Sequence, residues 1–184
     1  MKQQNNPIRF AITFVVLFVI FYYFNIFYFS VTSPTSQHYN SFLDQHLNYI
    51  QVLRWMLLSG TALLLKYLGH SAIFNNYDLL VAGHGTIQVV YACLGLGIVS
   101  FFIAFIIAYP KSLKSKLMAI IVGVVVIEFL NIIRFAILAL YGNNANQLID
   151  HHTLFNIIMY IIICAGLYIW IKQDIDVINS HEAN

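Results

Sequence analysis

Five apolar runs, each long enough to cross about 30 Å of hydrocarbon, govern what this chain can fold into. They extend roughly from Phe10 to Phe29, Tyr49 to Leu68, Ala92 to Tyr109, Leu117 to Tyr141 and Thr153 to Ile171. In lipid, a segment of that length satisfies its backbone N–H and C=O groups internally as an α-helix. Only 9% of the 184 residues are charged against 60% hydrophobic, where soluble domains carry roughly 25% charge. The expected class is an all-α polytopic membrane protein with about five transmembrane helices. One membrane domain spans residues 1–184, with N-terminal helices over 1–70, a candidate catalytic core over 71–172 and a polar tail over 173–184.

Between the apolar runs the chain changes character. Thr32 to His46 carries a Pro and several Ser, Asn and Gln residues and reads as a loop. From Ala72 to Tyr91, apolar stretches rich in β-branched residues flank Gly83-His84-Gly85. That pattern predicts a short extracytoplasmic β-hairpin feeding directly into Cys93. The first apolar run exceeds a secretory signal core and lacks a small-residue cleavage motif after it, so it is expected to stay as an anchor. Net charge is only +2 and the basic residues form no stripe, which argues against a nucleic-acid partner.

Lys111, Lys114 and Lys116 make the densest basic loop, and the positive-inside rule assigns it to the cytoplasm. Cys93 and the His151-His152 pair then open their segments at the outer face, with Arg134 in the outer half of the segment between them. Five crossings put Lys2 and Arg9 outside, against the same rule. Either that weak signal is overruled or the Arg54-containing segment is re-entrant or interfacial rather than spanning.

Three polar groups on successive apolar segments point to chemistry. Cys93 and Cys164 are the two cysteines, each in apolar sequence, so no disulfide framework is expected. Cys93, taken as the first turn of its helix, gains from the positive end of the helix dipole, which favours a thiolate nucleophile. Its alternative is a small buried hydrophobe, the role that fits Cys164. Arg134 within a spanning helix costs roughly 2.5–3.5 kcal/mol even on lenient insertion scales, so something must compensate for it. Asn131, one turn back, is placed to orient the guanidinium, and Glu128 lies further round. Arg134 therefore serves either as a cation aimed at a developing oxyanion or as a structural tether. His152, with His151 and Asp150 before it, offers a base near neutral pH. A metal reading of Asp150, His151, His152 and His84 lacks the usual ligand spacing.

Ala92-Cys93-Leu94-Gly95, followed by Asn131-Ile132-Ile133-Arg134 and by a histidine opening the next segment, resembles the exosortase/archaeosortase family of membrane-embedded cysteine transpeptidases. The resemblance covers roughly Ser71 to Ile171. It implies catalytic roles for Cys93, Arg134 and His152, with Asn131, Gly95 and His151 in support. Leu94 stands where many members have Ser, and Asn156 where a small residue is common; the choice between His151 and His152 stays open.

The resemblance further implies cleavage of a C-terminal sorting signal on exported proteins, composed of a short motif, an apolar helix and a basic cluster. The product would be released or transferred through a thioester at Cys93. No cofactor or metal is required, and the setting would be the prokaryotic plasma membrane, with lipid around the helices and the active site on the extracytoplasmic side. The alternatives are a non-catalytic assembly or transport module with a structural intramembrane Arg134, and a membrane metallohydrolase that leaves Cys93 idle.

Overall fold

A computed structural model describes the backbone of residues 7–141 and 151–182, and the side chains of residues 7–141 and 157–172. Six helices and a small sheet follow one another: α1 (Pro7–Thr32), α2 (Ser41–Leu47), α3 (Tyr49–Tyr67), β1 (Ala72–Phe74), β2 (Asp78–Val81), β3 (Gly85–Gln88), α4 (Leu96–Ala108), α5 (Leu113–Tyr141) and α6 (His151–Glu182). A 3-10 turn, Tyr91–Leu94, joins β3 to α4.

Two helices, α1 and α5, are long and apolar enough to cross a bilayer among the described residues, while α4 and the Ile157–Lys172 part of α6 are shorter apolar helices. Helix α4 is shorter than the sequence leads one to expect because Gly95 breaks the run, leaving 13 residues, about 20 Å at ~1.5 Å per residue. Helix α3 carries Gln51, Arg54, Thr61 and Lys66, which dilute its apolar character. Helix α6 continues past Lys172 to Glu182. The outward faces are apolar: the most hydrophobic stretch of α1 is entirely outside the core, and Val122, Val125 and Phe129 of α5 and Ile161 and Ile169 of α6 are exposed. Such a surface is stable only in an apolar solvent, so the chain is a membrane protein. Cys164, expected among buried hydrophobes, lies on the exposed face of α6.

Helices α1 and α4 interlock through aromatic edges, Phe10 on Phe105 at 5.4 Å and Phe14 on Phe101 at 5.2 Å, both near perpendicular; that geometry satisfies the ring quadrupoles. Asn25 pins the same pair by donating to Ser100 Oγ at 2.9 Å while accepting from the Tyr49 hydroxyl of α3. Helix α6 lies antiparallel to α5, since Trp170 in its second half donates to Ser115 Oγ, in the first turn of α5, at 3.1 Å and holds Lys111 over its ring at 4.3 Å. Met159, Ile163 and Leu167 bury that face against Ile98, Phe102 and Ile127.

The segment expected as one hairpin forms a three-stranded antiparallel sheet ordered β1-β2-β3. Asn75 accounts for the additional strand: its carboxamide oxygen accepts from the backbone N–H of Tyr77 and Asp78, closing a turn between β1 and β2. Leu79 and Val81 point into the core while Leu80 points out. His84, in the turn expected for it, has Nδ1 3.1 Å from the Leu140 carbonyl, so the sheet sits against the end of α5.

Close packing of α4 on α5 depends on Gly123, where a Cβ would lie 2.1 Å from Phe102 Cζ. Gly123→Ala gains up to about 1 kcal/mol of helix propensity but incurs an overpacking cost of about 1–3 kcal/mol. Thermal unfolding in detergent is expected to show net destabilisation. In a Phe102→Leu background, the same substitution is expected to be neutral or stabilising.

Candidate active site

The strand that leads to Cys93 is anchored before it turns. Val89 N–H donates to the Tyr77 carbonyl at 2.8 Å, and Cys93 N–H donates to the Val90 carbonyl at 2.9 Å, closing the 3-10 turn. Gly95 ends that turn in the left-handed region, with φ +71°, and is also the residue from which α4 starts, accepting from Val99 N–H at 3.0 Å. Cys93 therefore precedes α4 and is not in its first turn. The dipole argument made from the sequence loses its geometry, because the free N–H groups of α4 begin beyond Gly95. Cys93 is 8% exposed, and the cluster that covers it includes Leu94, Leu96, Phe135, Ala136 and Ala139. Burial pushes the neighbouring Tyr91 phenol above its ordinary pKa, with Tyr22 adding to the effect, so this phenol stays protonated at neutral pH.

The facing surface is a polar stripe on α5. Glu128, Asn131 and Arg134 recur at three-residue spacing, which places them along one side of the helix. Asn131 is fully buried and Arg134 is 4% exposed. Asn131 Nδ2 donates to Glu128 Oε2 at 3.3 Å. Its Oδ1 is buried with no hydrogen-bond partner among the described residues, so one acceptor stands ready beside the next turn, where Arg134 lies.

The thiol turn and the polar stripe meet at Gly95. A Cβ built there would lie 2.5 Å from Asn131 Nδ2. Glycine is thus required twice, by its positive φ and by this contact. The contact brings the backbone two residues after Cys93 against the residue one turn before Arg134. Both Cys93 and Phe135, the residue next to Arg134, belong to the same core cluster.

His151 and His152 form the first residues of α6, and their side chains lie outside the described residues, as does Asp150. Because α6 is antiparallel to α5, its first turn lies toward the Tyr141 end of α5, the end against which His84 and the sheet pack. The structure therefore brings Cys93, Gly95, Asn131 and the Arg134 stripe into one region and sets the start of α6 toward the same end.

A buried cation that the sequence pointed to only as a question of topology is Arg54 of α3. It is 4% exposed, donates through Nη1 to Gln51 Oε1 at 2.7 Å and stands over the Tyr77 ring at 4.5 Å. Its signal in the sequence was a lone charge within an apolar run. What the sequence hid was Tyr77, 23 positions away by numbering, arriving from the sheet.

An apolar helical membrane protein with a buried thiol two residues before a glycine that packs on an Asn-x-x-Arg stripe is the class that these elements define. The chain matches the model of the transmembrane exosortases, Exosortase_EpsH, over residues 6–170, and belongs to that family. No curated protein and no solved structure matches it.

Gly95→Ala is expected to destabilise the chain by about 1–2 kcal/mol from φ alone, with the Asn131 clash added. Combining it with Asn131→Ala removes only the clash. Unfolding midpoints of the two single variants and the double variant should therefore be non-additive, with the double variant less destabilised than the sum.

Proposed function

We propose that the chain is a membrane cysteine peptidase that cleaves a C-terminal sorting signal of exported proteins and transfers or releases the product through a thioester at Cys93. Family membership supports a membrane transpeptidase role in general. The observation that carries the specific reading is the Gly95–Asn131 contact, which couples the turn bearing the thiol to the stripe bearing the guanidinium. The non-catalytic alternative accounts for a buried Arg134 but gives no use to a cysteine in the turn that Gly95 packs against the α5 stripe.

In this reading the helices cross the plasma membrane several times. Lys111, Lys114 and Lys116 face the cytoplasm and the sheet, Cys93 and the start of α6 face outward. Helix α4 separates the two ends by about 20 Å at ~1.5 Å per residue. A substrate whose apolar helix lies beside the enzyme presents the peptide bond just outside that helix to the turn at Cys93. The Cys93 thiolate attacks the carbonyl carbon, and negative charge moves to the carbonyl oxygen, where the Arg134 guanidinium stabilises it. His152 takes the thiol proton and returns it to the leaving amine as the C–N bond breaks. The tail departs, the acyl group stays on Cys93 as a thioester, and an acceptor amine, another nucleophile or water resolves it. Asn131 holds the stripe in register through Glu128, and Gly95 allows the approach.

The test compares the C-termini of envelope proteins in cells carrying the native chain and the Cys93→Ala chain at equal levels. Precursors retaining an apolar C-terminal helix only in the variant cells are expected. Unchanged C-termini would remove the nucleophile and leave the structural module. Arg134→Lys keeps a charge but loses the planar fork, so processing is expected to slow about 10²–10³-fold, the range for removing one oxyanion donor. A variant that assembles normally and processes at the native rate would exclude the oxyanion role.

A further inference from the structure

A second polar site lies beside the segment that leads from β3 to the turn at Cys93. A cavity of about 200 Å³ is lined by residues that include Thr32, Gln51, Arg54, Tyr77, Val90 and Tyr91. Arg54 is the one charged residue among those lining it. The guanidinium is held on two sides: Nη1 donates to Gln51 Oε1 at 2.7 Å, and Tyr77 covers one face at 4.5 Å. Gln51 is fixed in turn, because its own N–H donates to the Asn48 side chain at 2.9 Å. Arg54 Nε is buried and has no hydrogen-bond partner among the described residues. Neither partner brings a negative charge. A 96% buried cation with an unanswered N–H is costly unless something completes it.

The position of the cavity says what completes it. Its wall includes Val89, Val90 and Tyr91, which lead from the edge strand β3 into the turn at Cys93. Val90 is three residues before Cys93 and is bonded to it through N–H to carbonyl, a span of at most about 10 Å. An extended peptide advances ~3.3 Å per residue. A chain presenting its carbonyl to Cys93 thus carries a side chain two or three residues away past this opening. At about 200 Å³ the cavity has room for one amino-acid side chain.

We propose that the Arg54 cavity is a carboxylate-binding specificity subsite, which receives an acidic side chain of the substrate two or three residues from the cleaved bond. The proposal rests on the peptidase reading given above. Arg54 Nε supplies the unanswered donor, and Gln51 and Tyr77 keep the guanidinium from turning away, ready for a charge-assisted bond.

The test uses the full-length Cys93→Ala chain in phosphatidylcholine nanodiscs, labelled with ¹⁵N-arginine, so that occupancy is read without catalysis. The Arg54 Nε–H resonance is identified by its loss in Arg54→Lys. N-acetyl-glutamate methylamide is expected to shift it saturably. N-acetyl-glutamine methylamide should bind at least about tenfold more weakly, as befits loss of a charge-assisted bond. Gln51→Ala, which leaves the cation in place, should weaken glutamate binding several-fold. No saturable shift with the glutamate probe overturns the subsite, as does equal binding of the glutamine probe. Tighter binding of inorganic phosphate than of the glutamate probe overturns it in favour of a phosphate or headgroup site. Glutamate binding together with unchanged C-termini in Cys93→Ala cells leaves the subsite and removes the peptidase chemistry. Thiol-dependent processing without glutamate binding does the reverse.

Discussion

The approach of Gly95 to Asn131 is the contact on which the site depends. One partner is backbone in a left-handed conformation, the other a fully buried carboxamide, and a single added methyl group would drive them apart. Because Gly95 both ends the 3-10 turn and starts α4, the position of the thiol, the start of that helix and the rotation of α5 are set together. A larger residue at 95 would move Cys93 away from the α5 stripe, or turn Asn131, and Arg134 with it, out of the core.

Around that contact the protein solves a problem specific to lipid, which is how to bury polar groups without water. Polar side chains in the helices are answered by other polar side chains at the seams: Asn25 by Ser100 and Tyr49, Trp170 by Ser115. Packing alone gives little preference for one helix pairing over another when the solvent is as apolar as the side chains. These bonds, together with the aromatic edges between α1 and α4, select the arrangement. The sheet lies at the end of α5 where His84 reaches Leu140, and it leaves Arg54 under Tyr77.

Much of this was legible because membranes impose simple rules. Apolar length marked most of the helices, and the cost of Arg134 in hydrocarbon marked α5 as a helix that must bury a cation. Gly83-His84-Gly85 marked the turn that lies between β2 and β3. What was not legible came from tertiary partners. Nothing local announces that Gly95, two residues after the cysteine, interrupts the helix; its φ is set by the need to meet Asn131 from another segment. The first strand follows from an Asn75 turn that apolar periodicity does not register. Cys164 reads as buried from its isoleucine neighbours, yet the rotation of α6, fixed by Met159, Ile163 and Leu167, turns it outward. Arg54 reads as a complication for topology until Tyr77 is placed over it.

The most direct test of a thiol site built from Cys93 and the α5 stripe is intact-mass analysis of the chain from actively exporting cells, quenched in acid and treated with hydroxylamine. The account predicts a hydroxylamine-labile acyl adduct on Cys93, absent from Cys164 and strongly reduced by Arg134→Gln. Processing that continues with no adduct on Cys93, or an adduct found on Cys164 instead, would contradict it.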